Sequence, residues 1–409
     1  MTKMPIKFLD ILRSTILGYK LVSKRNLNQF PVLKIQVETS GRKSQVLLIN
    51  GEQAAFLISP KFTAGSFQIS GDDVAIERIG LMASIRLYIL CLLQVRKKKY
   101  LNFQNFKVQF GGPEPTKRLL IYTNKLLTRL NSRPDSLMVH RHPELLLGWG
   151  KDGVQLEKCL EPKSIGAKLA IVLHVYYPET WPELAEVLNN IEFAYDLFVT
   201  CVAGQADLIA RISHDFPEAS IRIMENQGRD VRPFLVLLED ETLSKYDYIC
   251  KIHGKRSLAN DPSGNLGDIC RRRTLFDLLV APGSIQSIIR RFDANPNIGM
   301  IGSKAFRLNR ERDHNIFWRA NREHMKNVIV RLGGNPDQVR PDFFEGTMFW
   351  VRGSALEGLK SLSLSCEFAD EQGLKDGALE HAVERLFAVA IVLAGCSVED
   401  TDGLDSKCV

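Results

Sequence analysis

Tyr248-Ile-Cys-Lys-Ile-His-Gly-Lys-Arg-Ser257 has the pattern of an apolar strand that ends in four basic or titratable side chains within six residues. Upstream of it, from Leu169 onward, strand, turn and helix signals alternate three times, an order typical of parallel strands joined by right-handed crossovers. Ligands of such open α/β sheets bind beyond the carboxyl ends of the strands. The sequence therefore predicts an α/β domain with a basic ligand site at the end of its fourth strand.

The spacing of apolar residues predicts where the elements of this domain lie. Continuous apolar runs indicate strands, and apolar residues spaced i, i+3, i+4 and i+7 indicate helices that lay one face on the sheet. The expected strands are Leu169–Tyr176, Tyr195–Val202, Ser220–Met224, Asp247–His253, Ile298–Ile301 and Thr347–Val351, and the expected helices include those with apolar faces from Trp181, Val231 and Ile285 and a last helix at Ala378–Ala394.

The basic cluster has two interpretations. Lys251 and His253 point to the same side of a strand, and Lys255 and Arg256 follow just past its end. Such a cluster can donate several hydrogen bonds and carry two or three positive charges, which suits a diphosphate. The alternative is a solvated basic loop, which is the more common explanation of an isolated run of Lys and Arg.

Five stretches with a shared order and spacing carry a resemblance to a known family. They are His174-Val-Tyr-Tyr-Pro-Glu-Thr-Trp181, Asn226-Gln-Gly-Arg-Asp230 with Pro233-Phe-Leu235, Tyr246-Asp-Tyr-Ile-Cys-Lys-Ile-His253, Gly346-Thr-Met-Phe-Trp350 and Asp376-Gly-Ala-Leu-Glu-His-Ala-Val-Glu-Arg-Leu-Phe387. Through them, residues from about Leu169 to Gly395 resemble the rhamnan synthesis protein F family, glycosyltransferase-like proteins of bacterial rhamnose-rich polysaccharide and O-antigen assembly. The resemblance implies a glycosyltransferase A-type domain, Rossmann-like with a mostly parallel sheet. The residue patterns before it indicate a smaller basic mixed α+β region.

In a fold of that type the donor nucleotide would border the ends of the first, third and fourth strands. This arrangement implies that the residues binding the nucleotide and the diphosphate are His174, Tyr176, Asn226, Arg229, Asp230, Lys251, His253 and Lys255. His174 and Asp230 also have structural explanations, as a satisfied histidine and as a helix N-cap.

Many A-type glycosyltransferases hold Mg²⁺ or Mn²⁺ on the diphosphate with an Asp-x-Asp pair at the end of the fourth strand. Lys251-Ile-His253 stands at that place in this chain, so no metal ligand is predicted there. We expect cations of the protein, assisted by Lys255 and Arg256 or by Arg271-Arg272-Arg273, to replace the charge of the metal. Dependence on Mg²⁺ or Mn²⁺ stays open.

The base that would deprotonate the acceptor hydroxyl is expected on the last helix. By resemblance to A-type enzymes, Asp376 and Glu380 are the leading candidates and Glu384 is the next, because Glu380 and Glu384 share one helix face. An N-cap role for Asp376 and a surface ion-pair face for the two glutamates are the structural alternatives. Glu345 is a further candidate, and Trp350 is expected to form a wall for the sugar or acceptor.

With these residues, the resemblance implies a hexosyltransferase that uses a nucleotide sugar. The donor favoured by the resemblance is dTDP-L-rhamnose, and the acceptor is a lipid-linked glycan of polysaccharide, lipopolysaccharide or O-antigen assembly. Inversion is expected, because a single displacement needs only a base and a stabilised leaving group. The alternatives are a non-catalytic scaffold of glycan assembly and, on charge alone, a nucleic-acid-binding protein; no nucleic-acid motif is visible, so nucleic acid is not an expected partner.

Length and charge divide the 409 residues into three expected parts: a basic region at 1–165, the catalytic domain at 166–396 and an acidic tail at 397–409. Residues 1–165 contain 26 Lys and Arg against 12 Asp and Glu, whereas the remainder contains 28 against 35. A basic region indicates an anionic partner. The pattern at residues 6–26 resembles an interfacial helix, short strands are expected at 33–37, 44–49 and 54–58, and a second helix at 79–99 is either buried or docked on a membrane.

The expected location follows from the absence of two patterns. No uncharged apolar run reaches eighteen residues, and the apolar residues near the N-terminus are interleaved with lysine and arginine. We therefore expect a cytoplasmic protein that lies peripherally on the inner face of the cell membrane.

Overall fold

A computed structural model describes most of the second half of the chain and parts of the first. The described residues are 17–23, 32–39, 42–49, 55–59, 67–70, 74–93, 101–102, 107–110, 142, 144–150, 155–156, 163–256, 265–309, 313–374 and 376–401. The chain forms two compact units, one made of residues 1–146 with 260–269 and the other of residues 147–259 with 270–409.

The residues of the first unit that are described before position 111 form two antiparallel sheets and a helix. The strands are β1 (Leu17–Ser23), β2 (Val32–Thr39), β3 (Arg42–Ile49), β4 (Ala55–Ser59), β5 (Phe67–Ser70), β6 (Val74–Arg78), β7 (Leu101–Asn102) and β8 (Lys107–Phe110), and the helix is α1 (Leu81–Leu93). One sheet has the order β6-β1-β4-β8-β7 and the other the order β3-β2-β5. Strands β2, β3 and β4 cover the three short strands that the sequence predicts.

The helix expected at residues 6–26 is wrong where the structure describes it. Leu17–Ser23 is strand β1, paired antiparallel on both sides with β4 and β6. The period of its apolar residues was compatible with a helix, but two flanking strands satisfy its backbone groups. Residues 6–16 and 24–26 lie outside the described residues. The second expected helix is observed as α1, and its last part, 94–99, lies outside them.

The second unit is built on a seven-stranded sheet flanked by helices. The remaining elements of the chain, after the short helix α2 (Glu144–Leu147), are β9 (Leu169–Val175), α3 (Trp181–Asn189), β10 (Asp196–Val202), α4 (Ala206–Asp215), β11 (Ser220–Met224), α5 (Val231–Glu239), β12 (Tyr248–His253), α6 (Asn265–Leu275) continued by a π-helical turn (Phe276–Val280), α7 (Ser284–Ala294), β13 (Ile298–Gly302), β14 (Arg307–Leu308), α8 (His314–Trp318), α9 (Arg322–Arg331), β15 (Phe343–Phe344), β16 (Phe349–Arg352), α10 (Glu357–Lys360), α11 (Leu379–Leu393) and β17 (Ser397–Asp400). Residues 144–146 of α2 and 265–269 of α6 belong to the first unit.

The strand order of this sheet is β11-β10-β9-β12-β16-β13-β17. All neighbouring pairs are parallel except those of β16, which is antiparallel to both β12 and β13. The prediction of an α/β domain with a mostly parallel sheet is thus confirmed. The chain moves outward from β9 through β10 to β11 and then returns to the other side of β9 as β12, which creates a topological switch point between β9 and β12.

Burial explains why these segments are strands and helices. Strand β9 is buried along its whole length, as expected for a central parallel strand covered on both faces. On one side of the sheet Phe234 of α5, Phe349 of β16 and Phe387 of α11 pack edge to face or tilted, with ring centroids 5.3–6.4 Å apart. This aromatic contact holds the amino-terminal half of α11 next to the ends of the central strands.

The end of the described chain corrects another expectation. Ser397–Asp400 forms the edge strand β17, parallel to β13, instead of belonging to an acidic tail. Its two carboxylates pair with arginines: Glu399 with Arg291, and Asp400 with Arg307 at 3.0 Å. These partners lie about a hundred residues upstream, so local sequence could not reveal them. Residues 402–409 lie outside the described residues.

None of the helices in the described ranges is long and apolar enough to cross a membrane.

Candidate functional site

The carboxyl ends of β9 and β12 meet at the switch point and bring two histidines side by side. His174 and His253 are direct neighbours in the parallel register of these strands. The Gly254 amide then donates to the His174 carbonyl at 2.9 Å and continues the pairing one residue past β12. Since open α/β sheets bind ligands outside this edge, at a switch point, the region is the candidate site.

Asp230 is the centre of a polar cluster at this edge. Its Oδ2 accepts hydrogen bonds from the Lys251 ammonium at 2.5 Å and from the Thr347 hydroxyl at 2.7 Å, and the His253 Nε2 lies 3.9 Å away. Burial alone would raise the pKa of Asp230, but His253, Lys251 and the two hydrogen bonds outweigh it and hold that pKa well below its usual range. The carboxylate is therefore ionised at physiological pH.

Lys251 is enclosed by the protein. Its side chain is only 2% exposed, and its ammonium also donates to the Thr347 carbonyl at 3.0 Å. The ammonium lies 5.8 Å from the ring centroids of Phe234 and Phe387. Its charge is thus neutralised by Asp230 inside an aromatic shell, which indicates a positioning role and not direct contact with a diphosphate.

The loop at Glu345–Thr347 forms hydrogen bonds with side chains from several elements of the site. The His253 Nε2 donates to the Gly346 carbonyl at 2.7 Å, and the Gly346 amide donates to the Glu384 carboxylate at 3.0 Å. Thr347 is bound through its carbonyl and its hydroxyl, as described above, and has a φ of 48°. Arg229, next to Asp230, has a φ of 53°. Two non-glycine residues in the left-handed region at one cluster are typical of a functional site.

The two switch-point histidines are neutral at pH 7. Burial lowers the pKa of His174 to about 4, and the charge of Lys251 adds to the effect, although Asp230 opposes it. Burial likewise lowers the pKa of His253 to about 4. His174 is oriented by a 2.9 Å hydrogen bond between its Nδ1 and the Thr200 hydroxyl. The two or three positive charges expected from the basic cluster are therefore not available from Lys251 and His253.

We expect the free energy of unfolding to fall as the pH is lowered from 7.5 to 5.5. His174 and His253 have a pKa of about 4 when folded and about 6.5 when unfolded, so the unfolded chain binds more protons in this window. Each histidine accounts for a loss of about 1.4 kcal/mol at pH 5.5. The contribution is fully present above pH 6.5 and is lost as the pH falls towards 4; the pKa of His381 is lowered too and acts in the same direction.

Urea unfolding at a series of pH values measures this slope. The double variant His174→Asn, His253→Gln should flatten it, because each amide keeps one hydrogen-bonding group and does not titrate. His324→Gln, on the exposed face of α9, is the matched control and should leave the slope unchanged. An unchanged slope in the double variant would contradict the assignment.

Arg229 ties the turn after β11 to the segment before α11. Its guanidinium donates to the Glu371 carboxylate at 3.0 and 3.2 Å, to the Leu374 carbonyl at 2.5 Å and to the His381 Nε2 at 2.9 Å. Asn226 is exposed in the same turn, and its carbonyl accepts a hydrogen bond of 3.4 Å from the Glu371 amide. Both residues lie at the rim of the site, where Arg229 is half-exposed but engaged.

Lys255 differs from the other cations of the cluster. Burial would lower its pKa, but the carboxylates of Glu384 and Glu345 outweigh burial and raise it, so the side chain stays charged. Its Nζ lies 3.1 Å from the place where a Cβ on Gly346 would be. Within the described part of the chain its ammonium forms neither a hydrogen bond nor an ion pair. Glu345, across the same loop, is exposed.

The three carboxylates expected on the last helix have different surroundings. Asp376 accepts hydrogen bonds from Asn321 at 2.7 Å and from Arg385 at 3.1 Å, and these partners lower its pKa although burial opposes them. Glu384 accepts the Gly346 amide. Glu380, one turn earlier on the same face, is only 9% exposed, and its carboxylate accepts no hydrogen bond from any described residue. Of the three, Glu380 is the one whose carboxylate accepts no hydrogen bond from the described residues, and the His381 Nδ1 lies 3.9 Å from it.

Several predicted site residues are used inside the fold. Trp350 is 1% exposed and its indole N–H donates to the Leu278 carbonyl at 3.1 Å, so the expected sugar wall is wrong and Trp350 is a core residue of β16. Arg256 pairs with Glu179 at 2.5 Å. The run at 271–273 is also paired, since Arg271 and Arg272 donate to Glu183 and Arg273 pairs with Asp277. Tyr176 remains exposed at the rim, edge-on to Tyr177.

The site also contains residues that sequence reasoning missed. Thr347 anchors Asp230 and Lys251, while Glu371 and His381 hold Arg229. Thr347 and His381 lie inside the quoted stretches that carry the family resemblance, so that signal was available. Glu371 stands outside those stretches, and no local pattern marks it.

The residues at the end of β12 do not fit a divalent cation. The nearest buried carboxylate, Asp230, is occupied by an ammonium and a hydroxyl group. Among the residues that the structure describes, no three His, Cys, Asp or Glu side chains converge as metal ligands would. No step of the proposed chemistry is therefore assigned to a metal.

Comparisons with known proteins identify a family and two relatives. Residues 153–394 match the family described as rhamnan synthesis protein F. The chain is also 27% identical over 243 residues to an uncharacterized protein, WxcX, of two strains of Xanthomonas campestris pv. campestris. The match covers 57% of this chain and 33% of each relative, so the chain spans about a third of the length of these curated relatives. Because the family match covers more than half of the chain and contains every residue of the switch-point site, the protein belongs to the rhamnan synthesis protein F family of polysaccharide synthesis proteins.

Proposed function

We propose that the second unit is an inverting glycosyltransferase that moves a sugar from a nucleoside-diphosphate donor to a lipid-linked glycan. The observation that carries the proposal is a pair of charged groups that form no hydrogen bond with the described residues. Lys255 has a free ammonium beside Gly346. The Glu380 carboxylate, one turn before Glu384, has only the His381 ring near it, at 3.9 Å. A cation for the diphosphate and an acceptor for the hydroxyl proton are the two groups that this transfer needs.

The proposed step is a single displacement. The acceptor hydroxyl attacks the anomeric carbon while the bond from that carbon to the diphosphate oxygen breaks. The electron pair leaves with the nucleoside diphosphate, whose negative charge is stabilised by Lys255, and the hydroxyl proton passes to Glu380. The donor favoured by the family's connection with rhamnan is dTDP-L-rhamnose, with the exposed residues Tyr176 and Asn226 at the rim for the nucleoside and buried His174 below them.

In this scheme the buried Asp230–Lys251 pair does not contact the substrate but holds the neighbouring loop in position. It fixes Thr347 and, with His253 and Glu384, the loop against which Lys255 lies. Hydrogen-bond donors that are already in place need not rearrange during the reaction. This preorganisation is the main source of electrostatic stabilisation of a transition state. Lys251 is therefore proposed as a positioning residue, in contrast to its expected contact with the diphosphate.

We expect Lys255→Met to weaken the binding of nucleoside diphosphates by about ten- to a hundredfold. A charge-assisted hydrogen bond contributes about 1.5–3 kcal/mol, and every 1.4 kcal/mol is tenfold in the dissociation constant. Calorimetric titration with dTDP, UDP and GDP, each with a chelator and then with Mn²⁺, measures the loss and identifies the preferred nucleoside. Methionine keeps the length of the side chain while it removes the charge.

Lys326→Met is the matched control, because Lys326 is a half-exposed lysine of α9 away from the site. Its titration should be indistinguishable from that of the unmodified protein. Binding that depends entirely on Mn²⁺, or that survives the loss of Lys255, would contradict the role given to this lysine.

A second candidate function is supported by a specific observation. Lys251, Arg256 and Asp376, all expected to serve ligand or chemistry, are paired within the protein, as a domain that only scaffolds glycan assembly would allow. The calorimetric experiment separates the two functions. A scaffold would bind none of the three nucleotides, whereas the proposed enzyme binds at least one of them.

A further inference from the structure

Helix α1 of the first unit carries apolar side chains on a face that no other described element covers. Met82 is 78% exposed and Ile89 is 48% exposed. Exposed Arg86 lies between them on the same face, since the three residues are spaced by four and three positions. The opposite face packs on β1, where buried Ser84 lies against Gly18. A helix that is apolar on nearly all sides is normally covered on all of them.

The charges in and after this helix indicate what covers it. Leu81–Leu93 contains no acidic residue, and its single charged side chain is Arg86. In the sequence, Arg96-Lys97-Lys98-Lys99 follows three residues after the helix ends. Apolar side chains flanked by clustered cations complement an anionic lipid surface, where the side chains enter the acyl boundary and the cations meet the head groups.

We propose that α1 is a membrane-docking helix that lies in the plane of an anionic bilayer through Met82, Arg86 and Ile89. With 13 residues the helix is about 20 Å long, too short to span the hydrocarbon core but sufficient to lie on it. The surface differs from the interfacial helix expected at residues 6–26, part of which is strand β1. The inference does not rest on the proposed sugar transfer, because it uses only the first unit.

Sedimentation of the full chain with vesicles tests the proposal. We expect binding to vesicles that contain phosphatidylglycerol, weaker binding to vesicles of phosphatidylcholine alone, and a decrease as salt is raised. The double variant Met82→Glu, Ile89→Glu should reduce the partition coefficient at least tenfold, because it removes apolar burial and adds negative charge. Arg86→Glu should weaken binding to the anionic vesicles and have little effect on the neutral ones.

The matched control is Val330→Glu, Val392→Glu, which changes two exposed apolar residues on helices of the second unit. Its partition should equal that of the unmodified protein. The midpoint of urea unfolding checks that the α1 variants remain folded, as expected for substitutions at exposed positions. Calorimetric nucleotide binding should be the same in all of them, so failure of the membrane proposal is distinguishable from failure of the catalytic one.

Two results would overturn the proposal. One is equal partition of the unmodified protein and the α1 double variant. The other is a dimer, observed by light scattering, that the double variant abolishes while vesicle binding is unchanged, which would make a second copy of the chain the occupant of this face.

Discussion

Asp230→Asn is expected to destabilise the folded protein by about 3–5 kcal/mol, because it leaves the Lys251 ammonium buried without its counter-charge. Lys251 is 2% exposed, so the unpaired charge would be almost completely desolvated. The same substitution loosens Thr347, whose hydroxyl donates to Asp230. Urea unfolding monitored by circular dichroism measures the shift, and the loss of the tethered loop should also weaken nucleotide binding.

The comparison variant is Asp240→Asn. Asp240 also pairs with a cation, Arg222, but both side chains are more than a third exposed, so we expect a loss of about 1 kcal/mol or less. The double variant Asp230→Asn, Lys251→Met removes both buried charges and should be more stable than Asp230→Asn alone. Equal destabilisation by Asp230→Asn and Asp240→Asn would contradict the larger contribution to stability that we assign to the buried pair. If Asp230→Asn does not yield folded protein, folded protein from the double variant would still show that the unpaired Lys251 charge causes the loss of stability.

Glu380→Gln is expected to lower turnover by about a hundred- to ten-thousandfold while nucleotide binding stays unchanged. Glutamine has nearly the same shape but cannot take the proton of the acceptor hydroxyl. No described residue donates a hydrogen bond to the Glu380 carboxylate, and its contact with the His381 ring is long, at 3.9 Å, so the unfolding midpoint should be preserved. The measurement is release of the nucleoside diphosphate from the sugar donor, with and without a lipid-linked glycan acceptor.

Two controls separate chemistry from structure. Glu323→Gln, at the exposed start of α9, should retain full turnover. Asp376→Asn should lower stability as well as turnover, because the Asp376 carboxylate pairs with Arg385 and Asn321. Full activity of Glu380→Gln together with inactivity of Glu345→Gln would move the base to the exposed loop residue.

The sequence by itself determined the local elements of the second unit and the family. The predicted bounds of four parallel strands and of the last helix agree with the observed ones within one or two residues, and the helical apolar faces expected from Trp181 and Val231 lie in α3 and α5. Continuous apolar runs and the 3.6-residue period are local properties of the chain. A candidate site at the end of β12 was expected because ligands of open sheets bind beyond the carboxyl ends of the strands. That β9 lies beside β12 follows from the observed strand order. The family resemblance rested on short stretches that the family match includes.

Only the tertiary structure decided which of the candidate side chains are free. The partners of Lys251 and Asp230 include Thr347, which is 96 and 117 residues away in the sequence. Such long-range contacts decide whether a charge is neutralised, desolvated or open to a ligand. The sequence suggested two or three available positive charges in the basic cluster, but among its described members Lys255 is the free cation. The burial of Trp350 and the pairing of Asp376 were hidden for the same reason: periodicity predicts an element, but packing decides which of its faces meets solvent.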